Sequence, residues 1–483
     1  MSRLNKIFYQ FTMSCTLIIS CSVLALPNDD NPTWSPVQKI APPQLATNAI
    51  SQSETNSTGS MQLTEQDLRA DIKLTENLIN QALITSQWDL LADLLVVYQT
   101  MPLANQNLYR YAQGALLRAH RKHSQAIENY RQILAEQADL DYVRFDYMAL
   151  LFENRQFKQA QQQIALLQQK PLELGLQQLI ADYQQAIERA QSWQFDGNLQ
   201  YEKNDNVNNA SDQREVQIGN RRFIRNEKSL PQSATGFAYA GSLAKVKNLF
   251  GNHFAVGKFG VDGVYYWDNK KYNEERLNAQ FGYQYQDVSK TFRLLPRVEF
   301  EWFSGDFYNR KYGVLAQYSQ WLTPTWQING SLARHWRYYV NKSYAETYNG
   351  TQNQATLIFS WYPNAQWMIY AGGDWSQQKT RDQEESSIRK GIQIGFSYEW
   401  RDWLGFSTDL RYGTRQFARE HFLFALTRRD KEKQATLKIW SPKLEWHGVM
   451  PKLSYQILRV DSNLAQLYQR RNNQLWLEIE KRF

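Results

Sequence analysis

Histidines, cysteines and adjacent acids are the residue types from which metal, thiol or proton-transfer chemistry would be assembled, and their spacing in this chain does not assemble it. The six histidines stand at 120, 123, 253, 335, 421 and 447. None belongs to an H-E-x-x-H helix, in which two imidazoles one turn apart hold zinc beside a general base. His120 and His123 are three residues apart beside a helix-to-helix turn and read as solvated. Cys15 and Cys21 are the only cysteines and both fall within the first 25 residues. There is no G-x-S-x-G and no P-loop. Glu384 and Glu385 fall in a loop in which nothing is expected to desolvate them, so neither gains the raised pKa of a general acid. The expectation is no catalytic residue, no metal and no cofactor: the chain reads as a non-enzyme. The remaining chemistry is recognition by rings and cations, and Tyr111, Arg118, Tyr142 and Phe145 are the candidates for a ligand-facing surface. Packing between helices is the competing role for the three rings.

The elements that carry these four residues repeat. From about Leu63 to Gln191 apolar residues recur three and four apart, as amphipathic helices require. Ala92, Ala126 and Ala160 are 34 residues apart, and Gly114, Ala126 and Tyr130 match the small, Ala and aromatic positions of a tetratricopeptide repeat. Asn80 and Met148 occupy the Gly position in the outer copies. Repeats are expected to begin near Lys73, Asn107 and Asp141, with a capping helix after Pro171. An ordinary helical bundle is the alternative. A solenoid would line its concave side with the first helix of each pair, and Tyr111, Arg118, Tyr142 and Phe145 are placed there.

At Trp193 the period changes from 3.6 to 2. All of the 16 Trp except Trp34 and Trp88 lie from this point onward. Leu277–Gln286 and Ile392–Trp400 alternate apolar and polar residues, and strands of about ten residues with aromatics near their ends are the pattern of an outer-membrane barrel. Such a barrel keeps half of every strand polar, which reconciles a membrane protein with a mean hydropathy of -0.62. Fourteen antiparallel strands are predicted, with short turns alternating with longer connections such as 204–233, 339–350, 378–387, 417–432 and 461–472. Because short turns face the periplasm in such barrels, both chain ends and the helical repeats are expected there. Pro296 within a strand predicts a bulge or a different strand boundary. A soluble β-sandwich is disfavoured by the density of exposed aromatics. The net charge of +8 is spread without a dense basic run, so no nucleic-acid partner is expected. Arg221, Arg222, Arg225, Arg428, Arg429 and Lys431 are read as loop cations facing lipopolysaccharide or an acidic client, or simply solvent.

Residues 1–25 read as a secretory signal peptide: Arg3 and Lys6 precede an apolar run, and Val23 and Ala25 fit the cleavage site. Acylation of Cys21 within Ile18-Ile19-Ser20-Cys21 is the alternative. Residues 26–60, rich in Pro, Ser, Thr, Asn and Gln, read as a disordered linker, leaving a helical domain over 61–191 and a barrel over 192–483. The final strand puts Leu475, Leu477, Ile479 and Phe483 on one face, and a terminal Phe resembles the signal read by the barrel-assembly machinery.

The whole arrangement resembles the surface lipoprotein assembly modulator (Slam) family. The likeness is sharpest at Trp193-Gln194-Phe195-Asp196-Gly197, at Asn204-Asp205-Asn206-Val207-Asn208-Asn209-Ala210, and over Tyr265 to Glu274. It implies an outer-membrane translocon, acting as a monomer, that exports surface lipoproteins or related soluble haem-binding proteins from periplasm to cell surface. A polysaccharide exporter, usually carrying longer repeat arrays, is the runner-up, and a diffusion porin the third reading. If the sheet opens laterally, the first and last strands form the seam.

Overall fold

A computed structural model describes residues 64–364, 366–400, 403–446 and 449–482. The leader, the linker, Phe483 and His447 lie outside the described residues. Eight helices come first: α1 Glu65–Ala70, α2 Ile72–Ile84, α3 Trp88–Tyr98, α4 Gln106–Ala119, α5 His123–Glu136, α6 Asp141–Glu153, α7 Phe157–Leu167 and α8 Leu174–Gln191. The helical pairs start close to the expected Lys73, Asn107 and Asp141. His123, Ala126, Tyr130 and Ile133 are the buried face of α5, and Phe157, Ala160, Ile164 and Leu167 that of α7. Each residue of the first set lies 34 before its counterpart, so the repeat is a repeat of burial. A Cβ at Gly114 would sit 2.5 Å from a ring carbon of Tyr130, and this close approach is why the position is glycine. Between the helices of each pair one non-glycine residue takes left-handed backbone, at Ser86, Arg121 and Arg155. Each costs about 1–2 kcal/mol that the helix packing must offset.

The first repeat departs from the 34-residue series. Its second helix buries Leu91, Leu94, Leu95 and Tyr98, a face 32 residues before that of α5. Ala92 is therefore half-buried and not the structural counterpart of Ala126, and Asn80 is exposed. No complete repeat precedes this pair among the described residues, so its outer face is not held to the inter-repeat pattern.

The barrel strands are β1 Gln194–Asn204, β4 Ala234–Phe250, β5 His253–Tyr266, β6 Glu274–Gln286, β7 Lys290–Phe303, β8 Asp306–Trp321, β9 Trp326–Tyr339, β10 Gly350–Trp361, β11 Trp367–Thr380, β12 Ser387–Trp400, β13 Leu404–His421, β14 Leu426–Trp440, β15 Val449–Ser462 and β16 Arg470–Arg482. These fourteen antiparallel strands close in sequence order, with β1 pairing β16. A small hairpin, β2 Glu215–Ile218 with β3 Arg221–Ile224, and two short helices, α9 Lys342–Tyr348 and α10 Ala465–Tyr468, lie in the connections at one end. Alternation along each strand sends Leu475, Leu477 and Ile479 outward and buries Trp476, Gln474 and Asn472 on the opposite face.

Two expectations change. Pro296 produces neither a bulge nor a strand end: pairing runs Gln280 with Arg297, then Tyr283 with Leu294, in unchanged register. The ladder skips the stretch where proline has no N–H to give, and Pro296 still stands opposite Val314 on the other side. Residues 417–432 are mostly strand, because β13 and β14 extend to a tip at 422–425 beyond a register shift between Gln416 and Glu420.

Candidate functional site

Three of the four recognition candidates converge where α4 faces α6. The Tyr111 ring stacks on Tyr130 at 5.5 Å and meets Tyr142 edge-on at 5.7 Å, and its hydroxyl donates to Asp146 Oδ2 at 2.5 Å. Arg118 donates to both Glu153 oxygens, at 3.0 and 2.5 Å, while His123 Nε2 lies 3.1 Å from Oε2. Phe145 turns away and packs edge-on against Tyr183 of α8 at 6.1 Å. Tyr142, 60% exposed, is the ring that presents most of its surface to solvent.

Burial raises the Glu153 carboxyl, but hydrogen bonds from His123 and Arg118 outweigh it and hold the pKa down to about 2. Burial pushes Asp146 above the usual carboxylate range against the opposing Tyr111 bond, and burial with the Asp146 charge pushes Tyr111 up. Asp146, Glu153 and His123 were not among the predicted residues. Their signal was present, since Tyr111 to Asp146 and Arg118 to Glu153 are both 35 apart, about one repeat. His123, expected in solvent, is buried, because its partner comes from the next repeat.

The helices are seated on the barrel. Phe157 at the start of α7 meets Phe254 of β5 edge-on at 6.0 Å, and Phe254 and Val246, on the inward faces of β5 and β4, join the helical core. Asn248 and Asn252 flank the turn between these strands. Asn248 Oδ1 accepts from the Lys158 backbone N–H at 2.9 Å and so caps α7, whose own N-cap residue, Gln156, makes no side-chain cap. Asn248 N–H donates to Gln191 Oε1 at the end of α8. Asn252 donates to the carbonyls of Asn154 and Gln286 and accepts from Gln156 Nε2. Between α8 and β1 stand only Ser192 and Trp193.

Inside the barrel, several charges pair along two walls. Lys311 reaches Glu299 at 2.5 Å and Glu301 at 3.5 Å on one wall; Glu432 takes Arg389, Arg411 and Arg415, and Asp374 takes Arg411, on another. The wall beside the β1–β16 pairing mixes amides with acids: Asn198, Gln200, Gln456 and Gln474 line it with Glu202, and Glu478 takes Asn198 across the seam at 2.7 Å and Lys438 at 2.8 Å. The connection over 205–233 lies against the last one: Asn206 Nδ2 donates to the Arg471 carbonyl and Gln466 Oε1 accepts from Gln217 N–H.

The six predicted loop cations divide. Arg225 is buried and donates to the carbonyls of Ser211, Gln213 and Ser229, and Arg428 is buried on Asp430 beneath Tyr468. Arg221, Arg222, Arg429 and Lys431 are exposed. Glu384 and Glu385 are half-buried, and burial raises both carboxyls, contrary to the expectation of full solvation.

The family model described as "Surface lipoprotein assembly modifier" matches residues 193–483, and that described as "Surface lipoprotein assembly modifier, N-terminal TPR repeats" matches 61–164. Surface lipoprotein assembly modifier 1 of Haemophilus influenzae is 27% identical over 92% of this chain and 92% of its own length. The Pasteurella multocida protein named Surface lipoprotein assembly modifier is 28% identical over 78% of this chain and 76% of its own. The hemophilin secretion modulator of Acinetobacter baumannii is 24% identical over 83% of this chain and 84% of its own.

Proposed function

The chain belongs to the surface lipoprotein assembly modifier family of outer-membrane barrel proteins, and from that premise we propose that it is a translocon exporting a small set of client proteins from periplasm to cell surface. The clients are surface lipoproteins or related soluble haem-binding proteins, the latter suggested by the name of the Acinetobacter relative. The observation that carries this reading is the seating of α7 and α8 on the inward faces of β4 and β5. A client held on the repeats is thereby held at the barrel mouth, and proximity replaces a diffusional search. The helices sit at the short-turn end, which faces the periplasm in barrels of this type. Tyr142 touches the client, Tyr111 packs against its ring and Arg118 holds α6 beside them through Glu153, while Phe145 braces α6 from the other side against Tyr183 of α8. Client folding outside the cell gives the transfer its direction.

Cells lacking the protein retain its client in the periplasm while surface polysaccharide and small-solute uptake stay normal. Tyr142→Ala, at normal barrel levels, lowers the surface-displayed fraction of client measured by antibody on intact cells. Normal display with lost polysaccharide would overturn the reading in favour of a polysaccharide exporter.

A further inference from the structure

The outward face of the barrel at its long-loop end is not uniform. Over β5, β8 and β9 it carries Tyr265, Trp267, Phe307, Trp336 and Tyr338, all exposed, as an aromatic girdle at a lipid interface does. Over β14 to β16 cations stand in their place. In β14 the alternation is complete: Arg428, Asp430 and Glu432 are buried on the inner face, whereas Arg429, Lys431 and Lys433 are exposed on the outer one. Register places Lys433 directly opposite Arg459, and Arg459 directly opposite Arg471. Three cations thus form one lateral row across three adjacent strands. Like charges directly opposite one another destabilise a sheet, and the described neighbours answer them incompletely. Asp461 alone among the outward acids bonds into the row, to Lys433 at 3.0 Å and Arg459 at 2.8 Å, and Arg471 reaches only Asn473 Oδ1 at 3.3 Å. Along the same strands, toward the short-turn end, the outward residues become Leu437 and Ile439, Leu453 and Tyr455, Leu475 and Leu477, all exposed.

We propose that this sector binds the phosphorylated headgroup of an outer-leaflet lipid, with Lys433, Arg459 and Arg471 on phosphate and the aliphatic band beneath them on the acyl chains. An amphiphile satisfies both halves of the surface, while a soluble acidic polypeptide leaves the aliphatic half in lipid and uses only the cations. The site rests on the orientation proposed above, with long loops outside, but not on export of a client. It sits beside the β1–β16 closure, so a bound headgroup also neutralises the repulsion along the row and ties β14, β15 and β16 together.

The test is binding of bis-phosphorylated lipid A to the purified full chain in detergent, followed by native mass spectrometry, with dephosphorylated lipid A, inorganic phosphate and poly-glutamate as further probes. Lys433→Gln/Arg459→Gln/Arg471→Gln is compared with Arg310→Gln/Arg334→Gln/Lys390→Gln, which removes three outward cations elsewhere and the same net charge. At roughly 1 kcal/mol for each cation at a charged lipid surface, the first triple weakens phosphorylated lipid A on the order of a hundredfold. The control triple leaves it nearly unchanged, and both bind dephosphorylated lipid A as the parent does. Heat-modifiable migration verifies folding, and Arg471→Gln alone, expected to lose about fivefold, carries the test if the triple does not fold. Equal loss in both triples would overturn the site, since only net charge would matter. Inorganic phosphate or poly-glutamate binding as tightly as the lipid, with the same loss in the triple, would overturn the lipid assignment. Client display in the variant-bearing cells reads the export function separately.

Discussion

Glu153 is the pivot of the residue scale, because it collects Arg118 and His123 across the boundary between the second and third repeats. With its pKa held at about 2 against an ordinary 4.5, its ionised form contributes roughly 3 kcal/mol to the folded state. A depressed carboxyl contributes fully above about 4.5 and loses that contribution as pH falls toward 2; the raised carboxyl of Asp146 works in the opposite sense. Glu153→Gln is therefore expected to lower protection of α4 to α6 at pH 7 and to approach the parent as pH falls through 4.5, converging only near pH 2, measured by hydrogen exchange of the full chain with intrinsic rates removed. Equal protection at pH 7 would refute the account. The sequence displayed Tyr111 and Arg118 as candidates but not the partners that order them. A partner about one repeat away is found by adding the period, whereas the burial of His123 is a tertiary fact that local spacing does not carry.

Among the elements, legibility followed periodicity. The pattern fixed fourteen strands and the helix pairs because alternation and the 3.6 period each act over many residues. It misplaced Ala92, where one residue at the right spacing stood for a whole face, and it read the extended tips of β13 and β14 as loop because charged strands beyond the apolar band look like loops. The junction left no signal in advance, since Asn248 and Asn252 are ordinary turn residues until α7 and α8 are set beside them. Asn248→Ala removes the cap of α7 and exposes its first turn, a loss of about 1 kcal/mol; with Asn252→Ala, whose amide serves both Asn154 and Gln286, the seat should loosen. Spin-label distances between α7 and the β8–β9 turn are expected to broaden in the double variant while heat-modifiable migration of the barrel is unchanged. A distribution as narrow as the parent's would show that Phe157 on Phe254 suffices.

For the whole molecule the question is where the closed sheet yields. The β1–β16 pairing runs only from Asp196 opposite Arg482 to Asn204 opposite Gln474, with Tyr201 facing Leu477 on the outer side. Tyr201→Cys/Leu477→Cys would join the two strands across that register. If the sheet opens here during export, oxidation of the pair lowers client display and a reductant restores it; full display with the pair fully oxidised would mean that the client passes without parting these strands.

The two attachments of the helical domain bear on that opening. Through Ser192 and Trp193 the last helix continues into β1, and through Asn248 and Asn252 the same helical unit grips the next hairpin. One lip of the seam is thus anchored to the helical unit at two points, while among the described residues β16 is held by its neighbour β15, by Lys438 of β14 on Glu478, and by the connections at the far end. In any parting of the seam β1 is the doorpost and β16 the door, and a client held on the repeats, as proposed above, would wait on the side that does not move.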